Sequence, residues 1–479
     1  MGTHRIIVVG AGLGGLATAL RLAHAGHEVL VLEKTDTVGG RNRRVQLDGC
    51  DFDGGPTLLM MLDPFRKLFA DVGEDLEAHL PLVSCDPSYR VFFADGHRLD
   101  ATTNRPRMKE QIRRLSGERD AAHYDRLMDD LGDLYQVSVP QFVRRNYRSP
   151  LDLVNPRDFA AVLRHHLLSK LSRRITRYMD DPRLRMLFTF QTMYLGLSPF
   201  DSPWVYGVLT YMELGEGIWY PKGGLPSITE KVAELAVARG AKIRLSSPVA
   251  AISNGTVTLE SGEVLTADYV VCNADLPYAR RELTNRPLPS KRNSCSATLY
   301  FMAYEGSLPD LLHHNVFFGP DFRGNLEMLF RAPYGVPDDP AFYACISART
   351  EPERAAPGCE NLFVLVPTPN LAHPMSPEEE DRVQASVFRR LTQEAGFEPS
   401  RVRALRRYTA ADWASDLNLH QGAAFGLSHD FWQSVCFRPA NYDKDDPRLF
   451  YVGASTTPGN GLPMVLISAE LVVERMGLA

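Results

Sequence analysis

The run Gly10-Ala-Gly12-Leu-Gly-Gly15 places glycines where a chain must turn sharply and admit a phosphate. Gly10 permits the turn, Gly12 lets backbone approach a pyrophosphate, and Gly15 lets a helix pack closely on the preceding strand. Glu33 follows at the distance where a carboxylate can accept both ribose hydroxyls of an adenosine. A second glycine turn, Val38-Gly39-Gly40-Arg41, comes next, and Asp51-Phe-Asp53-Gly-Gly55-Pro56 lies beyond it. An arginine behind a glycine turn suits a further phosphate, because guanidinium meets phosphate oxygens with two parallel bonds. These residues point to an adenine dinucleotide and leave NAD and FAD both open.

Such a loop works only between a strand and a helix. The apolar, β-branched run Arg5–Val9 predicts a buried strand, and Leu16, Ala19, Leu20 and Ala23 predict a helix over 15–25 that Gly26 stops. EVLVLE at 28–33 is the second strand, giving a βαβ unit with a parallel pair. Further helices are predicted over 108–135, most of 141–197, from Ser227, and from about Met464 to the end. Strands are predicted at AKIRL, TVTL, VLTADYVVC, 296–304, 361–366 and 449–453. The 479 residues, 44% hydrophobic and 23% charged, suffice for about three modules and exclude a disordered chain or a polytopic membrane protein. A net charge of −5 argues against nucleic-acid binding. The apolar stretch at 6–22 carries four glycines and lacks a cleavage pattern, so the N-terminus is expected to be retained. Seven scattered cysteines with no C-x-x-C spacing point to a reducing, cytoplasmic setting without disulfides or zinc.

The dinucleotide run followed by Gly-Gly-Arg resembles the FAD-binding signature of amine-oxidase-like flavoproteins. Three later stretches narrow the likeness to the bacterial phytoene-desaturase-like enzymes: Trp219-Tyr-Pro221-Lys-Gly223-Gly224 with Glu213 ahead of it, Phe437-Arg438-Pro439-x-Asn441, and Gly453-Ala454 followed by Pro458-Gly459-x-Gly461-x-Pro463. Thr457 stands where relatives often carry histidine. The resemblance implies that Gly10, Gly12, Gly15, Glu33, Lys34, Gly40, Arg41, Gly55 and Pro56 hold FAD, with Val249 at the adenine. Gly453, Gly461, Pro463 and Met464 would lie against the isoalloxazine and ribityl chain. The implied fold is α/β: a Rossmann-type FAD domain from residues 1–80, 217–290 and 412–479, a mixed-sheet substrate domain from 81–138 and 291–411, and a helical subdomain over 139–216. The implied activity is desaturation of a long isoprenoid such as phytoene or dehydrosqualene in carotenoid biosynthesis. A hydride would pass to flavin N5, a proton would leave the adjacent carbon, and oxygen or a quinone would reoxidise the flavin.

The 139–216 segment carries its own signal. Between Gln141 and Arg185, eleven basic residues face four acidic ones, a net +7 inside a chain of −5. Phe159, Val162, Leu163, His166, Leu167, Leu171 and Ile175 recur near helical spacing, predicting a basic amphipathic helix suited to an anionic membrane surface. A forty-carbon hydrocarbon would lose on the order of 30 kcal/mol entering water, at about 0.8 kcal/mol per CH₂. A peripheral enzyme with an apolar tunnel is therefore expected, lined from Phe188–Leu197 and by Trp204, Tyr206, Leu209, Tyr211 and Met212.

No nucleophile–base pair is apparent, which suits chemistry supplied by a cofactor. The pairs His165-His166 and His313-His314 read as solvated or core histidines, with no metal expected. A proton acceptor is still needed, and Glu213, then Glu216 and His420, are the candidates. Lys222 reads as a flavin or phosphate contact. Two competing functions stay open: oxidation of an amine, with Trp219 and Tyr220 as an aromatic cage, or of a squalene precursor; and a non-catalytic lipid escort.

Overall fold

The computed structural model describes residues 2–153, 155–288 and 291–478. The expected domain boundary at 290 therefore falls outside the described residues.

Five parallel strands form the first sheet, in the order 449–451, 269–272, 5–9, 28–32, 242–244. Its strands come from three separated stretches of chain. Ile6, Ile7 and Val8 are all fully buried because both faces of the sheet are covered, which is why this strand reads as a continuous apolar run. On one face, helix Leu13–His24 packs between Pro226–Ala238 and Leu462–Met476. On the other, Ile7, Val9 and Leu32 meet Val249, Ile252, Val257 and Leu259 of a three-stranded antiparallel sheet.

A seven-stranded mixed sheet follows the order 402–408, 296–305, 359–368, 342–346, 314–317, 89–92, 98–101. All its pairings are antiparallel except 314–317 with 89–92. Helix Pro377–Ala395 covers one face of this sheet through Val383, Val387 and Leu391. Strand Leu82–Cys85 stays apart and pairs with Ile218–Pro221.

Between the sheets, the long helices predicted from the sequence are broken. Residues 108–135 form two helices, Arg105–Ser116 and Glu118–Ser138, separated at Gly117, whose φ of +96° no helix accepts. The amphipathic helix expected through Phe159 and Ile175 ends at Arg164, and His166 turns the chain with φ +53°. That turn splits the apolar stripe. Leu167, Leu171 and Ile175 enter the core with Tyr178 and Trp204, whereas Phe159 and Leu163 stay outside. Among the described residues, no helix is long and apolar enough to cross a membrane, and all seven cysteines are free thiols.

Candidate functional site

A cavity of about 860 Å³ is lined from both large sheets and from the helical segment. Its polar end is walled mainly by backbone. Gly10 leaves the first strand with φ +101°, and a side chain at Gly15 would place its Cβ 2.2 Å from the Gly10 carbonyl oxygen. The two glycine turns lie against each other: the Gly39 N–H donates to the Ala11 carbonyl at 2.9 Å, and Gly12 bridges to Gly39. No side chain caps helix Leu13–His24, and none caps helix Leu462–Met476. Two helix N-termini with uncapped N–H groups therefore reach one cavity, an arrangement that favours anionic ligand atoms at two places.

Gly10, Gly12, Glu33, Lys34, Gly40, Arg41, Gly55, Pro56, Val249, Gly453, Gly461, Pro463 and Met464 all line this cavity. Gly15 does not; it sits behind the turn as the packing contact between helix and strand. Glu33 does more than wait for a ribose. Its Oε2 accepts the Ala11 N–H at 2.7 Å and its Oε1 accepts from Thr35, so it also holds the glycine loop, with lone pairs to spare for hydroxyls. Lys34 turns instead to Asn418 and the Ser415 carbonyl, and burial lowers the pKa of its ammonium. Asp275, which sequence reasoning missed, gathers Arg41, the Ser455 hydroxyl and the His420 backbone N–H.

Two of the sequence motifs act one layer out. Arg438 is buried, and its guanidinium donates to the carbonyls of Leu427, Ser428, Gln433, Ala454 and Thr456. Burial pulls its pKa down to about 10. Asn441 donates to the carbonyls of Tyr451 and Thr457. Together they fix the turn at 453–457 from behind. Gly224 sits where a side chain would strike the buried Arg354–Asp53 ion pair, so the Gly-Gly turn gives that pair room. Lys222 is exposed and does not line the cavity, contrary to the flavin contact expected of it. Trp219 and Tyr220 are also absent from the lining, because their strand is spent on pairing with Leu82–Cys85.

The model of the flavin-containing amine oxidoreductase family matches residues 13–477. The chain belongs to this family. A zeta-carotene-forming phytoene desaturase of Myxococcus xanthus is 42% identical, with 98% of this chain and 93% of that protein covered. A phytoene desaturase of Neurospora crassa is 35% identical over 98% of this chain and 84% of its own length. Cyclohexylamine oxidase from Brevibacterium oxydans shares the fold, with a TM-score of 0.61 at 16% identity and coverage of 99% of this chain and all of that one. The protein is thus a flavin-dependent oxidoreductase, and its cofactor is FAD. The paired glycine turns and the two uncapped helix ends are the features of this chain that fit the group.

In this flavoprotein the far end of the cavity is apolar. Phe190, Met193, Val208, Leu209 and Met212 line it from the helical segment, and Val316, Phe318 and Phe342 from the mixed sheet. Among the described residues the lining acids are Glu33, Glu260 and Asp275, all beside residues of the polar end. Of the tunnel residues expected from sequence, Phe190, Met193, Tyr194, Leu195, Tyr206, Leu209 and Met212 line the cavity, whereas Phe188, Thr189, Gln191, Thr192, Gly196, Leu197, Trp204 and Tyr211 do not. Phe188 and Trp204 are buried in the helical core, and Tyr211 packs against it.

The proton-acceptor candidates separate clearly. Glu213 is fully buried one layer behind the apolar wall. Its Oε2 accepts from Tyr89 at 3.0 Å and from Gln191 at 2.8 Å, and it neighbours Tyr194, which does line the cavity. Burial pushes the Glu213 carboxyl up to about 7. Glu216 does not reach the cavity and accepts from Tyr135 at 3.2 Å. His420 does not line it either, because its short 3₁₀ turn is pinned through the backbone to Asp275. Gln191 and Tyr194 belong to the stretch expected to line the tunnel, but their link to Glu213, like that of Tyr89, crosses from other elements and is not legible in the sequence.

Proposed function

We propose that the protein is an FAD-dependent desaturase of a long-chain isoprenoid such as phytoene or its thirty-carbon counterpart. The observation that carries the reading is the single cavity: glycine turns at one end, and an apolar chamber without a lining carboxylate at the other. A hydrocarbon needs no polar partner, whereas an amine would meet neither a carboxylate nor the Trp219–Tyr220 cage there. FAD, when bound, supplies the acceptor for a hydride leaving a substrate carbon.

The chain's own residues do the rest. The glycine turns with Arg41 hold the diphosphate, Glu33 and Val249 hold the adenosine, and the 453–464 stretch holds the ring. Phe190, Leu209, Met212 and Phe318 exclude water and align an allylic carbon with it, which is how a site without ionic partners gains rate. Tyr194 touches the substrate, and Glu213 behind it takes up the proton lost from the adjacent carbon. A carboxyl near 7 is suited to hold and release a proton at cellular pH.

Substrate delivery uses the helical segment. Phe159 and Leu163 are 64% and 59% exposed, and Leu151 and Leu168 are exposed beside them in the chain. Arg148, Arg157, Arg164, Lys170, Arg173 and Arg177 are exposed in the same stretch and form no ion pair among the described residues. The turn Val435–Phe437 packs on Pro150–Leu153 and brings Trp432, 68% exposed, with Phe431 to this face. Val435 itself lines the cavity. Apolar side chains ringed by free cations suit an anionic bilayer, from which the substrate would enter.

The test is direct. The purified protein should show a flavin spectrum and convert phytoene in anionic liposomes to coloured polyenes with oxygen or a quinone as acceptor. A colourless protein would favour the escort reading, and bound flavin without any new conjugated product on forty- or thirty-carbon substrates refutes the desaturase.

A further inference from the structure

One buried cluster plays no part in the chemistry above. Cys85 ends the strand Leu82–Cys85, while His313 and His314 stand at the start of the strand His314–Phe317 in the mixed sheet. The Cys85 sulfur and one ring nitrogen from each histidine lie within 4.8 Å of one another, and all three residues are buried. The imidazole centroids are 4.1 Å apart.

The hydrogen bonds around the rings show which nitrogens are available. His313 Nδ1 meets the Thr350 hydroxyl at 2.6 Å, and His314 Nδ1 meets the Tyr343 hydroxyl at 2.7 Å. The Tyr343 hydroxyl also accepts from the Thr57 hydroxyl at 2.8 Å. The phenol oxygen has lone pairs for both, and with the ring proton on Nδ1 the His314 Nε2 presents a bare lone pair. The Thr350 hydroxyl, free to rotate, serves His313 in the same sense. Neither Nε2 finds a hydrogen-bond partner among the described residues. Two buried imidazole lone pairs beside a thiol are costly as they stand. They also form a ligand set whose Nδ1 partners orient the rings, as in histidine metal sites.

We infer that Cys85, His313 and His314 bind one soft closed-shell cation, Cu⁺ or Zn²⁺, in three-coordinate fashion. Thiolate and imidazole together select these ions over hard cations such as Mg²⁺ or Ca²⁺. Charge favours Cu⁺. Binding releases the Cys85 thiol proton to solvent, so the Cu⁺–thiolate unit is neutral. Zn²⁺ would leave one positive charge near Arg354, whose own charge is already met by Asp53 at 2.9 Å. The ion would tie the Leu82–Cys85 strand to the mixed sheet, one hydrogen-bonded chain, Tyr343–Thr57, from the flavin cavity.

The flavin-loaded wild type, reduced, incubated with Cu⁺ or with Zn²⁺ and desalted, should retain about one ion per chain. X-ray absorption at the metal edge should then show one sulfur and two nitrogen ligands. Cys85→Ser and His314→Gln should each weaken retention by about 100-fold while flavin absorbance is kept. Preference for Zn²⁺ would support the site and reject the charge argument. Retention of less than about a tenth of an equivalent of either ion by wild type overturns the inference, as does unchanged retention in both variants. Should the variants fail to fold, the ligand count from wild type decides it alone.

Discussion

At its polar end the cavity is walled by backbone: Gly10, Gly12, Gly39 and Gly40 bring two turns into contact, and helix ends supply the charge. At its apolar end the walls are side chains, drawn from residues as far apart as Phe190, Val316 and Phe342. The two ends fail differently. The backbone wall depends on conformations that side chains rarely adopt, with φ of +101° at Gly10, +126° at Gly39 and +58° at Gly40, so a substitution there strains the turns. A side-chain wall repacks, and loses alignment before it loses stability.

The sharpest way to break the comparison is Gly15→Val. With Cβ 2.2 Å from the Gly10 oxygen, helix and strand must separate, and the flavin absorbance of the purified protein should fall more than about tenfold. Full flavin content in this variant would show that the turn is more pliant than its geometry implies. Glu213→Gln acts at the other end and should leave flavin content intact while slowing desaturation about 100-fold. Since burial raises the carboxyl to about 7, the wild-type rate should climb as pH rises through 7, and the variant should lack that limb.

Stability carries a sign that can be checked on the same pair. The folded carboxyl binds its proton more tightly than an unfolded one at 4.5, so the wild type loses stability as pH rises from 4.5 to 7. The loss relative to Glu213→Gln is of order 3 kcal/mol; parallel denaturation curves across that range would remove Glu213 as the titrating group. Arg438→Met strands five carbonyls behind the 453–457 turn and should cost about 3 kcal/mol in urea midpoint analysis, with weaker flavin retention. The mildest change is reversal of Arg148, Arg157, Arg164 and Arg173 to glutamate. Co-sedimentation with anionic liposomes should be lost, with flavin content and activity in detergent unchanged. Persistent binding at low salt would place the docking face elsewhere.

How legible the site was depends on whether its contacts are local. Gly10, Gly12, Glu33, Gly40 and Arg41 are close in sequence, and their spacing alone indicated a phosphate-binding turn. The strand Arg5–Val9 and the helix after it were equally plain, since one period and one stop residue define each. The amphipathic helix through Phe159 and Ile175 was misread because periodicity cannot register the left-handed turn at His166. Lys222 and His420 looked suitable by residue type, yet one is held at the surface and the other by its backbone. Cys85 and the histidine pair 313–314 share no spacing at all; only the packing of two sheets brings them together.

The sequence by itself therefore determined the dinucleotide turn, the parallel strands beside it and the excess of charge in the helical segment, because each is set by neighbours along the chain. Tertiary structure decided which carboxylate is buried behind the apolar wall, which aromatic residues line the chamber, and that Arg438 holds the 453–457 turn from behind. Those properties depend on the dielectric and the partners at a point in space, and residues distant in the chain supply both.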